Sequence, residues 1–132
     1  MRTLEVRKTK HMKIRIKGDA IRFRLTQSEV KQLSDSGYIE EQTHFESSVF
    51  TYAVKAMKGL SQLEAAFEGT TITLFMPEDL CENWFYNDQV GYSNQMLMPS
   101  GRSLGLLLEK DFTCMDNTIE DQSDNYPNPK LQ

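Results

Sequence analysis

The chain has 132 residues and a formal net charge of −4, enough for one hydrophobic core and too short for two comfortable domains. Seven Phe, five Tyr and one Trp argue against a disordered chain. The longest aliphatic run, Leu106-Leu107-Leu108, falls far below the roughly 20 residues that cross a bilayer, and no apolar stretch of the secretory kind follows the basic N-terminus. The expectation is therefore a cytoplasmic protein with no membrane partner.

The net charge hides an asymmetry. Residues 1–31 hold ten Lys or Arg against three acids, a net +7, whereas the remaining 101 residues hold five against sixteen, a net −11. Such halves attract each other or separate partners. Cys81 and Cys114 belong to no CxxC pattern and read as reduced thiols. His11 and His44 are not at metal-ligand spacing.

Taken in chain order, residues 1–11 show no sustained period and read as a flexible basic extension. From Met12 the alternation is strict: Met12, Ile14 and Ile16 on one face, Lys13, Arg15 and Lys17 on the other. Gly18-Asp19 marks a two-residue turn, and Ile21, Phe23 and Leu25 then alternate with Arg22 and Arg24, which predicts a β-hairpin. Thr26-Gln27-Ser28-Glu29 is a capping box, Val30 and Leu33 give a short apolar stripe, and Gly37 ends the helix. Tyr38–Phe45 and Val49–Ala56 read as strands. Leu63, Ala65 and Phe67 alternate before Gly69, and Ile72, Leu74 and Met76 after it, predicting another hairpin. Pro77-Glu78-Asp79 starts a second helix, with its acids near the positive end of the helix dipole and Leu80 and Trp84 on its buried side. Strands near Val90–Met98 and Arg102–Glu109 flank the Pro99-Ser100-Gly101 turn. The domain is expected to span 12–110, followed by an acidic, Pro-containing tail over 111–132.

Offset by 51 residues, Ile21-Arg-Phe-Arg-Leu-Thr-Gln-Ser aligns with Ile72-Thr-Leu-Phe-Met-Pro-Glu-Asp, Val30 with Cys81 and Leu33 with Trp84. The pattern suggests two βαββ units packed together. The fold expected is α+β, mainly antiparallel, with about eight strands and two short helices.

Paired through the Gly18-Asp19 turn, Arg15 faces Arg22 and Lys13 faces Arg24. Directly opposed like charges destabilise a sheet, so this face needs counter-charges, generous solvation or a ligand. In one reading, water and salt screen it. In a second, carboxylates such as Glu40, Glu64 and Glu109 close internal ion pairs, as in a noncatalytic interaction or scaffold domain. In the third, Lys13, Arg15, Lys17, Arg22 and Arg24 clamp a phosphorylated or other anionic small molecule, with Glu64 and Glu109 orienting the cations or holding an optional divalent metal. No cofactor is otherwise expected, and the oligomeric state is left open.

The run MKIRIKGDAIRFRLTQSEV from Met12, with LLLEKDFTC and EDQSDNYPNP near the end, resembles a family of small bacterial proteins that carries no known activity. At the level of fold, the element order is similar to the CYTH-like (triphosphate tunnel) proteins, an eight-stranded antiparallel barrel whose charged side chains line a channel. Arg22-Phe23-Arg24 looks like that family's alternating phosphate-binding arginines. The family's Glu-x-Glu-x-Lys opening is absent: Lys13, Arg15 and Lys17 stand on the first strand, and only Lys17 matches. That departure puts metal-dependent phosphohydrolase chemistry in doubt and leaves open whether the chain is an enzyme.

No Gly-rich phosphate loop, dinucleotide fingerprint or GxSxG elbow is present. Ser100 reads as a turn residue, and Asp116 to Asp124 lacks EF-hand spacing. Trp84-Phe85-Tyr86 reads as a helix anchor. Asn125-Tyr126-Pro127-Asn128-Pro129 suits an extended segment docked on the domain or on a partner. A basic hairpin could meet a nucleic-acid backbone, but the acidic remainder and a Phe23 directed into the core argue against it.

Overall fold

The computed structural model describes residues 11–112 and 123–127. Eight strands and two helices follow in the order β1 (Lys13–Lys17), β2 (Ala20–Leu25), α1 (Gln27–Ser36), β3 (Tyr38–His44), β4 (Val49–Met57), β5 (Glu64–Glu68), β6 (Thr71–Pro77), α2 (Glu78–Trp84), β7 (Gly91–Leu97) and β8 (Ser103–Lys110). The architecture is the expected α+β one, mostly antiparallel. The basic extension up to residue 10, most of the acidic tail and Cys114 lie outside the described residues.

Each half of the chain supplies two hairpins joined by a helix. The halves interleave: the β1–β2 and β7–β8 hairpins form one four-stranded sheet, ordered β1-β2-β8-β7, and β3–β4 with β5–β6 form the other, ordered β3-β4-β6-β5. Within each hairpin the pairing is antiparallel, while the hairpins join through parallel pairs, β2 with β8 and β4 with β6. Each helix carries the chain from one sheet to the other.

The strands do not close into a barrel. Edges remain at β1 and β7 in one sheet and at β3 and β5 in the other, so the CYTH-like barrel is not found. Side chains, not a continuous hydrogen-bond ladder, join the sheets. Tyr52 packs on Phe23 with ring centroids 6.3 Å apart and donates its hydroxyl to Met12 O at 2.8 Å. Asn94 Nδ2 donates to Leu63 O at 2.9 Å.

The 51-residue repeat governs the core. Phe23 and Leu74, Leu25 and Met76, Val30 and Cys81, and Leu33 and Trp84 are matched pairs, and each of the eight residues is 1% exposed or less. Burying such side chains contributes roughly 1.5–3 kcal/mol apiece before entropy is counted. The helices meet beside these pairs, with Cys81 Sγ against Leu33 O at 3.2 Å and Phe85 N–H on Ser34 Oγ at 3.1 Å.

Local signals act as their chemistry dictates. Gly18 takes φ +54° in the first hairpin turn, and Gly37 takes φ +81° to end α1 with its N–H on Leu33 O. Glu29 Oε1 accepts from Thr26 N–H at 2.9 Å, one arm of the capping box. The first two N–H groups of α1 find a partner far away in sequence. Gln27 N–H donates to Asp124 O, and Ser28 donates through N and Oγ to the Asp124 carboxylate. Of the segment expected to dock, Asn125–Pro127 lies on the domain itself: Tyr126 N–H donates to Asp111 O and its ring packs on Phe112 at 5.5 Å. Asn128 and Pro129 lie outside the described residues.

A candidate anion-binding face

The first hairpin has the register that its turn dictates: Lys13 opposite Arg24, Arg15 opposite Arg22, Lys17 opposite Ala20. Because side chains alternate along a strand, these residues share the face opposite the buried Phe23 and Leu25. Parallel pairing extends the face to β8, where Ala20 meets Gly105, Arg22 meets Leu107 and Arg24 meets Glu109. Antiparallel pairing extends it to β7, adding Gln95, Ser93 and Gly91. The outcome is a four-strand surface, basic on β1 and β2, carrying Gly105, Leu107 and the acid Glu109 on β8, and polar on β7.

Glu109 stands within the cations. Arg22 Nε donates to its Oε1 at 2.6 Å and Arg24 Nε donates to the same oxygen at 2.8 Å. The Glu109 side chain is 16% exposed, against 32% and 39% for the two arginines. Lys13 Nζ lies 3.3 Å from Oδ2 of the buried Asp111. Arg15 and Lys17 are exposed, and among the described residues neither has a carboxylate within ion-pairing distance. Among the described residues, three of the five hairpin cations are therefore paired with carboxylates and two are not.

The unpaired cations border a depression of about 450 Å³ lined by Arg15, Lys17 and Arg22 on one side and Ser93 and Gln95 on the other, with Ala20 and Gly105 in its floor. A neighbouring depression of about 360 Å³ lies among Lys13, Arg15, Arg22 and Arg24. Both open to solvent on the outside of a sheet, unlike the enclosed channel that the barrel resemblance implies.

Glu64 is not brought to this face. It pairs with Phe75 in β5–β6, one residue before Ala65 opposite the buried Leu74, so it projects from the exposed side of the other sheet. Glu40 is likewise in the other sheet, accepting from the Tyr38 hydroxyl at 2.5 Å. Among the described residues no group of three or more His, Cys, Asp or Glu could hold a metal ion, and no helix is long and apolar enough to cross a membrane.

Reading the sequence missed Asp111, assigned to the tail yet buried beside Lys13, and the β7 contributors Ser93 and Gln95. Alternation in β7 and β8 does place Ser93, Gln95, Leu107 and Glu109 on one face. The parallel β2–β8 pairing that sets them beside the arginines leaves no local signal.

Residues 12–130 match a family of unknown function, DUF7009, and the chain belongs to that family. No curated protein and no solved structure matches it.

Proposed function

We propose that this member of the family binds a small phosphorylated or similarly polyanionic molecule on the outer face of the β1-β2-β8-β7 sheet. The observation that carries the reading is the position of Arg15 and Lys17, which border a depression without a carboxylate partner among the described residues. Arg22, oriented by Glu109, adds a guanidinium to the same wall. Several donors on alternate strand positions suit the oxygens of phosphate. A small ligand fits better than nucleic acid, because Phe23 is fully buried beneath the face and offers no ring for base stacking.

A second reading, a noncatalytic interaction or scaffold domain, draws on the pairing of Arg22 and Arg24 with Glu109 and of Lys13 with Asp111. A thermal-shift panel of phosphate, pyrophosphate, triphosphate and nucleotides, with and without magnesium, separates the two. The binding reading expects a saturable rise in Tm for at least one member, abolished in the R15Q/K17Q variant. If no anion raises Tm, or the double variant responds like the parent, the scaffold reading stands.

A further inference from the structure

Lys110 follows Glu109 on β8, so its side chain leaves the opposite face of the sheet from the basic surface. The residue is 5% exposed. Its Nζ donates to Asn87 O at 2.9 Å and lies 5.8 Å from the Trp84 ring centroid and 5.0 Å from that of Tyr126. Among the described residues no carboxylate lies within ion-pairing distance of it. Desolvation pushes its pKa below the ordinary lysine value, opposed in part by the charge of Asp88.

A buried ammonium is costly, and the charge of Asp88, beyond ion-pairing distance, offsets the desolvation of Lys110 only in part. One carbonyl and two ring faces offset part of that cost, but an ammonium has three donors and only one is used. Lys110 also lines a cavity of about 490 Å³, together with Phe85, Val90, Phe112 and Tyr126. That volume falls in the range of roughly 300–1,000 Å³ typical of small-molecule sites. Tyr126 forms part of one wall, and its hydroxyl is buried with no hydrogen-bond partner among the described residues. Asp88, on another, disfavours a dianion.

We infer that this cavity is a second ligand site, separate from the basic face, that takes a small carboxylate with an apolar or aromatic body. The carboxylate completes the coordination of Lys110 Nζ, and the body packs against Phe85, Val90 and Phe112. Because Asp88 shares the cavity with Lys110, the site favours one negative charge held at the ammonium, whereas a phosphate would bring a second charge toward Asp88.

Trp84 is the chain's single tryptophan and reports directly on Lys110. Phenylacetate is expected to change its fluorescence saturably, and neutral phenylacetamide of the same shape is not. K110M is expected to bind phenylacetate roughly tenfold or more weakly, as for loss of a charged hydrogen bond. V90F, at a half-exposed position on the cavity wall, is expected to weaken binding by filling space. Triphosphate should not compete. The inference fails if phenylacetate gives no saturable change, if phenylacetamide binds as well, or if K110M and V90F both bind like the parent. Should K110M not fold, the acid-against-amide comparison on the unaltered protein and the V90F result decide it.

Discussion

Lys13 and Glu64 occupy the same place in the two halves of the fold. Lys13 sits opposite Arg24, with Arg15 opposite Arg22 two residues on; Glu64 sits opposite Phe75, with Ala66 opposite Thr73 two residues on. The offset is the same 51 residues that match Phe23 to Leu74 in the core. The repeat thus preserves inward positions and lets outward ones diverge, making one sheet face basic and its counterpart neutral to acidic. Since the counterpart faces lie on different sheets, E64Q is expected to leave any anion-induced rise in Tm unchanged, measured in the same thermal-shift panel as the parent.

Glu109 holds Arg22 and Arg24 through one oxygen. The variant E109Q keeps the shape and removes the charge, leaving two guanidiniums facing Lys13 and Arg15 without compensation. Stability should fall by about 1–2 kcal/mol at low salt, discounted for the partial exposure of both arginines. Added salt should recover part of the loss. Anion affinity should rise, because the charge of Arg22 and Arg24 is no longer neutralised by Glu109, and titration of E109Q with pyrophosphate checks both effects together.

Arg15 sets the opposite expectation. It is exposed, lacks a carboxylate among the described residues, and directly opposes Arg22. Relieving a like-charge cross-strand pair is worth roughly 0.2–1 kcal/mol. R15Q should therefore be slightly more stable than the parent in low-salt denaturant titrations and indistinguishable at high salt, while responding less to anions. A side chain that lowers stability where it stands fits a binding role.

Much of this architecture was legible in the sequence, for identifiable reasons. Period-two alternation around Gly18-Asp19 specified both the hairpin and its register, because a one-residue slip would turn Phe23 outward. The capping box and Gly37 bounded α1. What the sequence withheld depends on contacts between distant segments. Hairpin patterns look alike whichever neighbours they acquire, so nothing local told that β2 joins β8 and β4 joins β6, or that the result stays open. Asp111 and Asp124 were likewise grouped with the acidic tail, and only the fold reveals one beside Lys13 and the other at the start of α1.

Gly91 shows how tightly the arginine-bearing sheet is packed. A Cβ there would lie 2.5 Å from Leu108 O and 2.8 and 2.9 Å from Glu109 Cβ and Cα. The obstructing atoms are largely backbone and cannot swing away, so G91A must push β7 from β8. Overpacking of this kind costs about 1–3 kcal/mol. The displaced strand carries Ser93 and Gln95, so G91A should both lower the denaturation midpoint and weaken any anion-induced shift, whereas Gly101, with open space around its Cβ position, provides no such coupling.

Cys81 supplies a test of the helix contact from pH. Its thiol is pushed up to about 11 from an ordinary value of 9.0, first by burial and then by the nearby Glu82 and Glu78. A raised value means that folding favours the neutral thiol. The contribution is complete below the unfolded value and disappears as pH climbs through that of the folded state. Stability attributable to Cys81 should therefore be constant up to about pH 8 and decline between about 9 and 11. Because the thiolate is the reactive form and Cys81 is 1% exposed, native protein at pH 8 should resist iodoacetamide and react once urea unfolds it. Replacing Cys114 with Ser makes Cys81 the single thiol read. Rapid labelling of that variant in its native state would mean that α1 and α2 do not hold Cys81 against Leu33 in solution.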